Sequence, residues 1–133
     1  MLRNDIDRST KEKGDIAEAK AIAWFVDAGY EVLLPLGSKR KYDFAIEKDG
    51  LISKVQVKYA GVYSKSGTCK AALRTTGGNQ SFNTVKFYEK IDFDYLYIFT
   101  QKNQEYVLPW TLVSARNELS IEDIKYQKFR VNL

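Results

Sequence analysis

Asp43, Gln56 and Lys58 are the residues of this chain whose types and spacing can do chemistry together. They sit in residues 42–59, Tyr-Asp-Phe-Ala-Ile-Glu-Lys-Asp-Gly-Leu-Ile-Ser-Lys-Val-Gln-Val-Lys-Tyr. Two alternating runs, Tyr42/Phe44/Ile46 and Leu51/Ser53/Val55/Val57, flank Asp49-Gly50. Asp-Gly between such runs predicts a hairpin, because glycine accepts positive φ. With Asp49 and Gly50 as the central turn residues, Lys48 faces Leu51, Phe44 faces Val55 and Asp43 faces Gln56. Opposed residues have Cβ atoms about 5 Å apart, so the Asp43 carboxylate and the Gln56 amide oxygen can share one cation. Lys58 projects to the same face. Tyr42, Phe44, Val55 and Val57 take the opposite face, which is expected to join the core.

The rest of the composition narrows what that site can be. The chain has 133 residues, 44% of them hydrophobic and 14% aromatic, enough for one globular domain over residues 1–133. It contains no histidine, which excludes imidazole triads and His-liganded zinc. Any metal must therefore be held by oxygens, which favours Mg²⁺ or Mn²⁺. A formal charge of +4 and a pI near 9.1 suit a polyanionic partner. Cys69 is the single cysteine and has no imidazole to activate it, so it reads as a small strand residue. One cysteine forms no internal disulfide, and no apolar run approaches the ~20 residues that span a bilayer. The expectation is a soluble, cytoplasmic protein with no membrane partner.

Several elements must position the site. Ser9-Thr10-Lys11-Glu12 fits a capping box that opens a helix running to about Ala28, with Gly29 as its C-terminal stop. Ile16, Ala19, Ala23 and Val26, widened by Ile22 and Phe25, form its expected buried stripe, while Gly14, Glu18 and Ala21 share another. Gly14 lies one turn before Glu18, which suits close approach of a phosphate backbone, a frayed first turn or tight packing on the sheet. Residues 30–35 read as a first strand ended by Pro35, and Lys39, Arg40 and Lys41 form a basic loop leading to Asp43. Beyond Lys58 a polar stretch holds a strand over residues 68–75, with Thr68, Lys70, Ala72 and Arg74 on one face, and a glycine-rich tip. Lys65, Lys70, Arg74, Asn79 and Gln80 supply donors and acceptors for DNA on such a ribbon. Residues 85–91 read as a short helix or turn. Residues 93–100 form an almost uninterrupted apolar strand, buried on both faces, and residues 105–108 return as its antiparallel partner. Asp92 and Asp94 read as strand-start residues. Residues 120–123 suggest a helix start and residues 126–131 a strand.

A helical Glu18, then Asp43, then Gln56-Val57-Lys58 on the next strand resembles the active-site signature of the PD-(D/E)xK nuclease superfamily. The wider run, Lys13-Gly14-Asp15, Gly29-Tyr30, Pro35, Tyr42-Asp43 and Val57-Lys58, is similar to group I intron-encoded homing endonucleases of that fold. Tyr42 stands where the motif has proline, and Gln56 where it has an acid.

The resemblance implies an α+β, restriction-endonuclease-like mixed sheet with an N-terminal helix and a second hairpin near the C-terminus. It also implies Glu18, Asp43, Gln56 and Lys58 as catalytic residues and Mg²⁺ or Mn²⁺ held by Asp43, Gln56, the Val57 carbonyl and Glu18. Lys58 would orient the attacking water and face the charge developing on the phosphate. The expected activity is site-specific cleavage of both strands of DNA. One site cuts one strand, so an even-numbered homo-oligomer, dimer or tetramer, is expected, with Tyr95, Tyr97, Phe99, Tyr106, Trp110 and Phe129 available to an interface as well as to the core. Two alternatives stay open: a Holliday-junction-resolvase-like nuclease with the same residues, and a catalytically silent DNA-binding module, for which Gln56 is the best argument.

Overall fold

The computed structural model describes residues 8–37, 39–76 and 85–133. Helix α1, Thr10–Asp27, opens with the capping box: Glu12 N–H donates to Ser9 Oγ at 3.1 Å and Ser9 N–H to Glu12 Oε1 at 3.2 Å. Gly29, at φ +93°, turns the chain into β1, Glu31–Leu33. β2, Phe44–Lys48, and β3, Leu51–Val62, form the expected hairpin. Its register is Phe44↔Val55 through Lys48↔Leu51. Asp49 and Gly50 both take positive φ, 53° and 85°, the pair of left-handed residues that matches the twist of a two-residue hairpin.

β4, Cys69–Ala72, pairs with β3, and β5, Arg74–Thr76, leaves the main sheet to pair with β6, Val85–Phe87. The strand read over residues 68–75 is therefore two strands broken at Leu73, which is buried and donates to the Asn117 carbonyl. Residues 85–91 begin as strand β6 rather than helix, because they answer β5 across the ribbon. β7, Tyr95–Thr100, lies parallel to β3 and antiparallel to β8, Glu105–Pro109. β9, Glu118–Ser120, closes the sheet beside β4. A 3-10 helix, Ile124–Phe129, capped by the Asp123 side chain, occupies most of the expected final strand; there only Arg130 bridges to Tyr106. Among the described residues no helix is long and apolar enough to cross a membrane.

β7 is buried on both faces, as its apolar run requires. Tyr97 and Phe99 pack with Ala17, Ala21, Phe25, Phe44 and Val55 under α1, while Leu96 and Ile98 join Leu108, Trp110 and Leu119 on the other side. The helix stripe departs in part from expectation: Phe25 is buried and Ile16 and Ile22 flank the core as expected, but Ala17 and Ala21 face the sheet, whereas Ala19 and Ala23 are exposed and Val26 is 56% exposed. From Ile16 to Val26 apolar residues lie on every side of the helix, so the small side chains set the buried face by letting it approach the sheet. Tyr42 also departs from expectation, packing with the cluster opposite α1. Tyr97, Tyr106 and Trp110 are core residues, as is Phe99, and so supply no exposed interface.

Candidate active site

β3 has three partners but only two edges, and this arithmetic creates the site. Backbone groups of successive strand residues point to alternate edges. Lys54 accepts from Asp94 N–H and Ala60 from Gln101 N–H, so even-numbered residues face β7. Val55 accepts from Asp43 N–H, and Tyr63 N–H donates to Thr68, so odd-numbered residues face β2 and β4. β2 leaves that edge after Val55 and β4 joins it only at Gly61. Between them is a notch into which the backbone groups of Val57 point.

Asp43 sits at the mouth of this notch. The ladder stops at Phe44↔Val55, and Asp43 N–H donates to the Val55 carbonyl at 2.8 Å instead of continuing one step to Gln56. Two residues thus answer one, as in a β-bulge, which re-aims the side chain. The carboxylate takes the place of the missing strand: Asp43 Oδ2 accepts from Val57 N–H at 2.7 Å. Gln56 Oε1 accepts from the same N–H at 3.0 Å, so the two side-chain oxygens converge on one point. The expectation that Asp43 and Gln56 meet holds, through the bulge rather than by direct opposition.

Glu18 and Lys58 complete the group. Glu18 follows Ala17 and precedes Ala21 by three, which sets it on the flank of the buried stripe beside the sheet. Burial raises the Asp43 pKa from 3.8 to about 6, with the Val57 N–H and the Lys58 ammonium opposing and the Glu18 carboxylate reinforcing the rise. Both charges therefore lie within electrostatic reach of Asp43. Gln56 is 7% exposed and Lys58 half-buried, and neither sits in a purely apolar surround. Gln56 Nε2 donates to Tyr88 Oη at 3.0 Å and to the Lys41 carbonyl at 3.3 Å, and Lys58 Nζ lies 5.0 Å from the centre of the Tyr88 ring.

This donor set fits a hard divalent cation. Asp43 Oδ2 and Gln56 Oε1 already converge, the Val57 carbonyl points into the same notch, and Glu18 lies within electrostatic reach of Asp43. Among the described residues no group of three or more His, Cys, Asp or Glu side chains is placed to hold a metal; position 56 carries an amide.

The expected DNA contacts separate into three sets. Lys39, Arg40 and Lys41 are exposed beside Asp43, with Lys41 Nζ 3.7 Å from Asp92 and Arg40 donating to the Leu36 carbonyl. Lys65 and Arg74 are exposed, but Lys70 is half-buried, 3.8 Å from Glu118 and stacked on Tyr63. Asn79 and Gln80 lie outside the described residues. Sequence reading missed Tyr88, 32 positions from Gln56; no local spacing announces it. Asp94 Oδ2 caps Lys54 N–H at 2.7 Å and Asp92 Oδ2 caps Glu89 N–H at 2.7 Å, so both are structural.

The sequence matches the PD-(D/E)XK endonuclease family over residues 8–132. The chain belongs to that family, and its fold is of the restriction-endonuclease-like kind. Nucleases of this family generally use divalent metal ions. Among solved structures it is similar to a bacterial homing endonuclease, I-Ssp6803I, at 32% identity and a TM-score of 0.78, with 92% of this chain and 89% of that one covered. No curated protein matches the chain.

Proposed function

We propose that this nuclease is a divalent-metal-dependent, site-specific DNA endonuclease of the homing type, cleaving both strands of duplex DNA. The observation that carries this reading is the convergence of Asp43 Oδ2 and Gln56 Oε1 on one backbone N–H, with Glu18 and Lys58 within electrostatic reach. The homing endonuclease that it resembles supports the substrate class.

Asp43, Gln56 Oε1, the Val57 carbonyl and Glu18 would hold Mg²⁺ or Mn²⁺. When bound, such an ion polarises the phosphate and lowers the pKa of a water. Lys58 stands on the same strand as Gln56 and offers an ammonium that orients the attacking water and meets charge developing on the phosphate. The Glu18 carboxylate on α1 is an acceptor for a water proton. Lys39, Arg40 and Lys41 hold the DNA backbone next to the site, while Lys65, Arg74 and, in exchange for Glu118, Lys70 extend the contact along the β5–β6 side. Each chain carries one such site, so a double-strand break requires a dimer or a tetramer of identical chains.

Mn²⁺ titration calorimetry of the parent and of Asp43→Ala tests the metal site. The reading requires saturable binding that Asp43→Ala abolishes. DNA binding indifferent to Asp43→Ala, with no nicking in Mn²⁺, would instead support the silent module that Gln56 and the lack of a third acid favour.

A further inference from the structure

Every polar atom of the Gln56 amide is committed. Oε1 shares the Val57 N–H with Asp43, and the two Nε2 protons go to Tyr88 Oη and the Lys41 carbonyl. Rotating the amide by half a turn would set Oε1 against the Lys41 carbonyl oxygen and the NH₂ group against the Val57 N–H. Acceptor would face acceptor and donor would face donor. The orientation that turns oxygen toward Asp43 is thus imposed from the far end of the side chain.

Tyr88 is well placed to anchor the amide so turned. Its ring meets Phe93 edge-on at 5.2 Å and Trp110 at 6.4 Å. The following backbone is pinned as well: Trp110 Nε1 donates to the Glu89 carbonyl at 3.0 Å, and Lys90 Nζ to the Trp110 carbonyl at 2.8 Å. The hydroxyl therefore arrives at Gln56 on a rigid ring. The face of that ring lies 5.0 Å from Lys58 Nζ, close enough for a cation–π attraction.

We propose that Tyr88 is a positioning residue of the nuclease site: its hydroxyl, accepting from Nε2, anchors the Gln56 amide in the orientation that the Lys41 carbonyl and the Val57 N–H select, with oxygen presented to a divalent cation, and its ring places the Lys58 ammonium. The inference rests on the nuclease reading above, and it explains why an amide can serve here. An acid at position 56 would have no proton for the Lys41 carbonyl, so the second end of the residue would be lost.

Tyr88→Phe keeps the ring and removes only the hydroxyl. Mn²⁺ calorimetry on the metal-free protein should show binding weakened about tenfold, the range typical when a residue behind a metal ligand is lost. The Gln56 carboxamide resonances, assigned by their disappearance in Gln56→Ala, should shift and lose protection from exchange. DNA affinity without metal should hold, and the thermal midpoint should fall by no more than the loss of one partly buried hydrogen bond accounts for. In a Gln56→Ala background Tyr88→Phe should have no further effect on Mn²⁺ binding, whereas Tyr88→Ala should lower the cleavage rate beyond Tyr88→Phe by releasing Lys58.

Unchanged Gln56 resonances and Mn²⁺ affinity in Tyr88→Phe would overturn the proposal, as would an equal loss in the Gln56→Ala background. If the parent cleaves while this coupling is absent, the positioning role falls and the nuclease reading stands. If the coupling is present while the parent cuts nothing, the positioning role stands and the nuclease reading falls.

Discussion

The carboxyl of Asp43 holds its proton to about pH 6 in the folded chain, against 3.8 ordinarily, because burial outweighs the Val57 N–H and because Glu18 adds repulsion. Between those two values the folded state binds the more protons, so stability falls as pH rises; above about 6 the penalty is complete, at most ~3 kcal/mol for a shift of this size. Asp43→Asn keeps an oxygen for Val57 N–H and sheds the charge. In the presence of chelator it should be the more stable protein at pH 7, and urea unfolding across pH should lose the decline between about 4 and 6 that the parent shows. A parent profile flat over that window would contradict the burial of this charge. Gln56→Glu tests the neighbouring position in the opposite sense. A second carboxylate in a 7% exposed site, facing the Lys41 carbonyl, should lower metal-free stability by about 2 kcal/mol, and saturating Mn²⁺ should narrow the gap.

Two elements decide whether these side chains meet. β2 delivers Asp43 by ending early and bulging, and its turn holds the register; Gly50 at φ +85° has open space around its missing Cβ, so Gly50→Ala tests backbone strain alone. It should cost about 1 kcal/mol by chemical denaturation. The helix delivers Glu18 because Ala17 and Ala21 allow close approach to the sheet. Ala21→Leu should destabilise by about 1–3 kcal/mol through overpacking, and it should lower the Asp43 pKa by moving Glu18 away, a shift that carboxyl NMR would detect. Gly14, by contrast, is exposed with nothing within 4 Å of an added Cβ, which rules out tight packing on the sheet as its reason. Gly14→Ala should add up to ~1 kcal/mol of stability. If it also weakens DNA binding, the phosphate-approach reading of Gly14 gains its support.

Across the molecule, what the sequence disclosed was what short-range chemistry determines. The capping box at Ser9, the Asp49-Gly50 register and the doubly buried β7 each follow from residues only a few positions apart. The parallel pairing of β3 with β7, the notch left by β2 and β4, and the clasp of Tyr88 on Gln56 depend on contacts distant in the chain, where no spacing rule operates. Apolar residues lie on every side of α1 from Ile16 to Val26, so periodicity finds Phe25 and the flanking Ile16 and Ile22 but cannot choose Ala17 and Ala21 over Ala19, Ala23 and Val26. Tyr42 was misassigned for a related reason: strict alternation fails once a bulge intervenes at Asp43.

The central claim is that four side chains on α1, at the entry to β2 and on β3 act on DNA as one centre, and Lys58→Ala examines it most directly. A plasmid library carrying randomised duplex targets, incubated with Mg²⁺ or Mn²⁺ and sequenced at its ends, would be cut by the parent at a restricted set of sites. The variant should bind the same DNA within about threefold of the parent and cut it at least a hundredfold more slowly. Equal cleavage by both proteins would show that the hydrolysis occurs elsewhere.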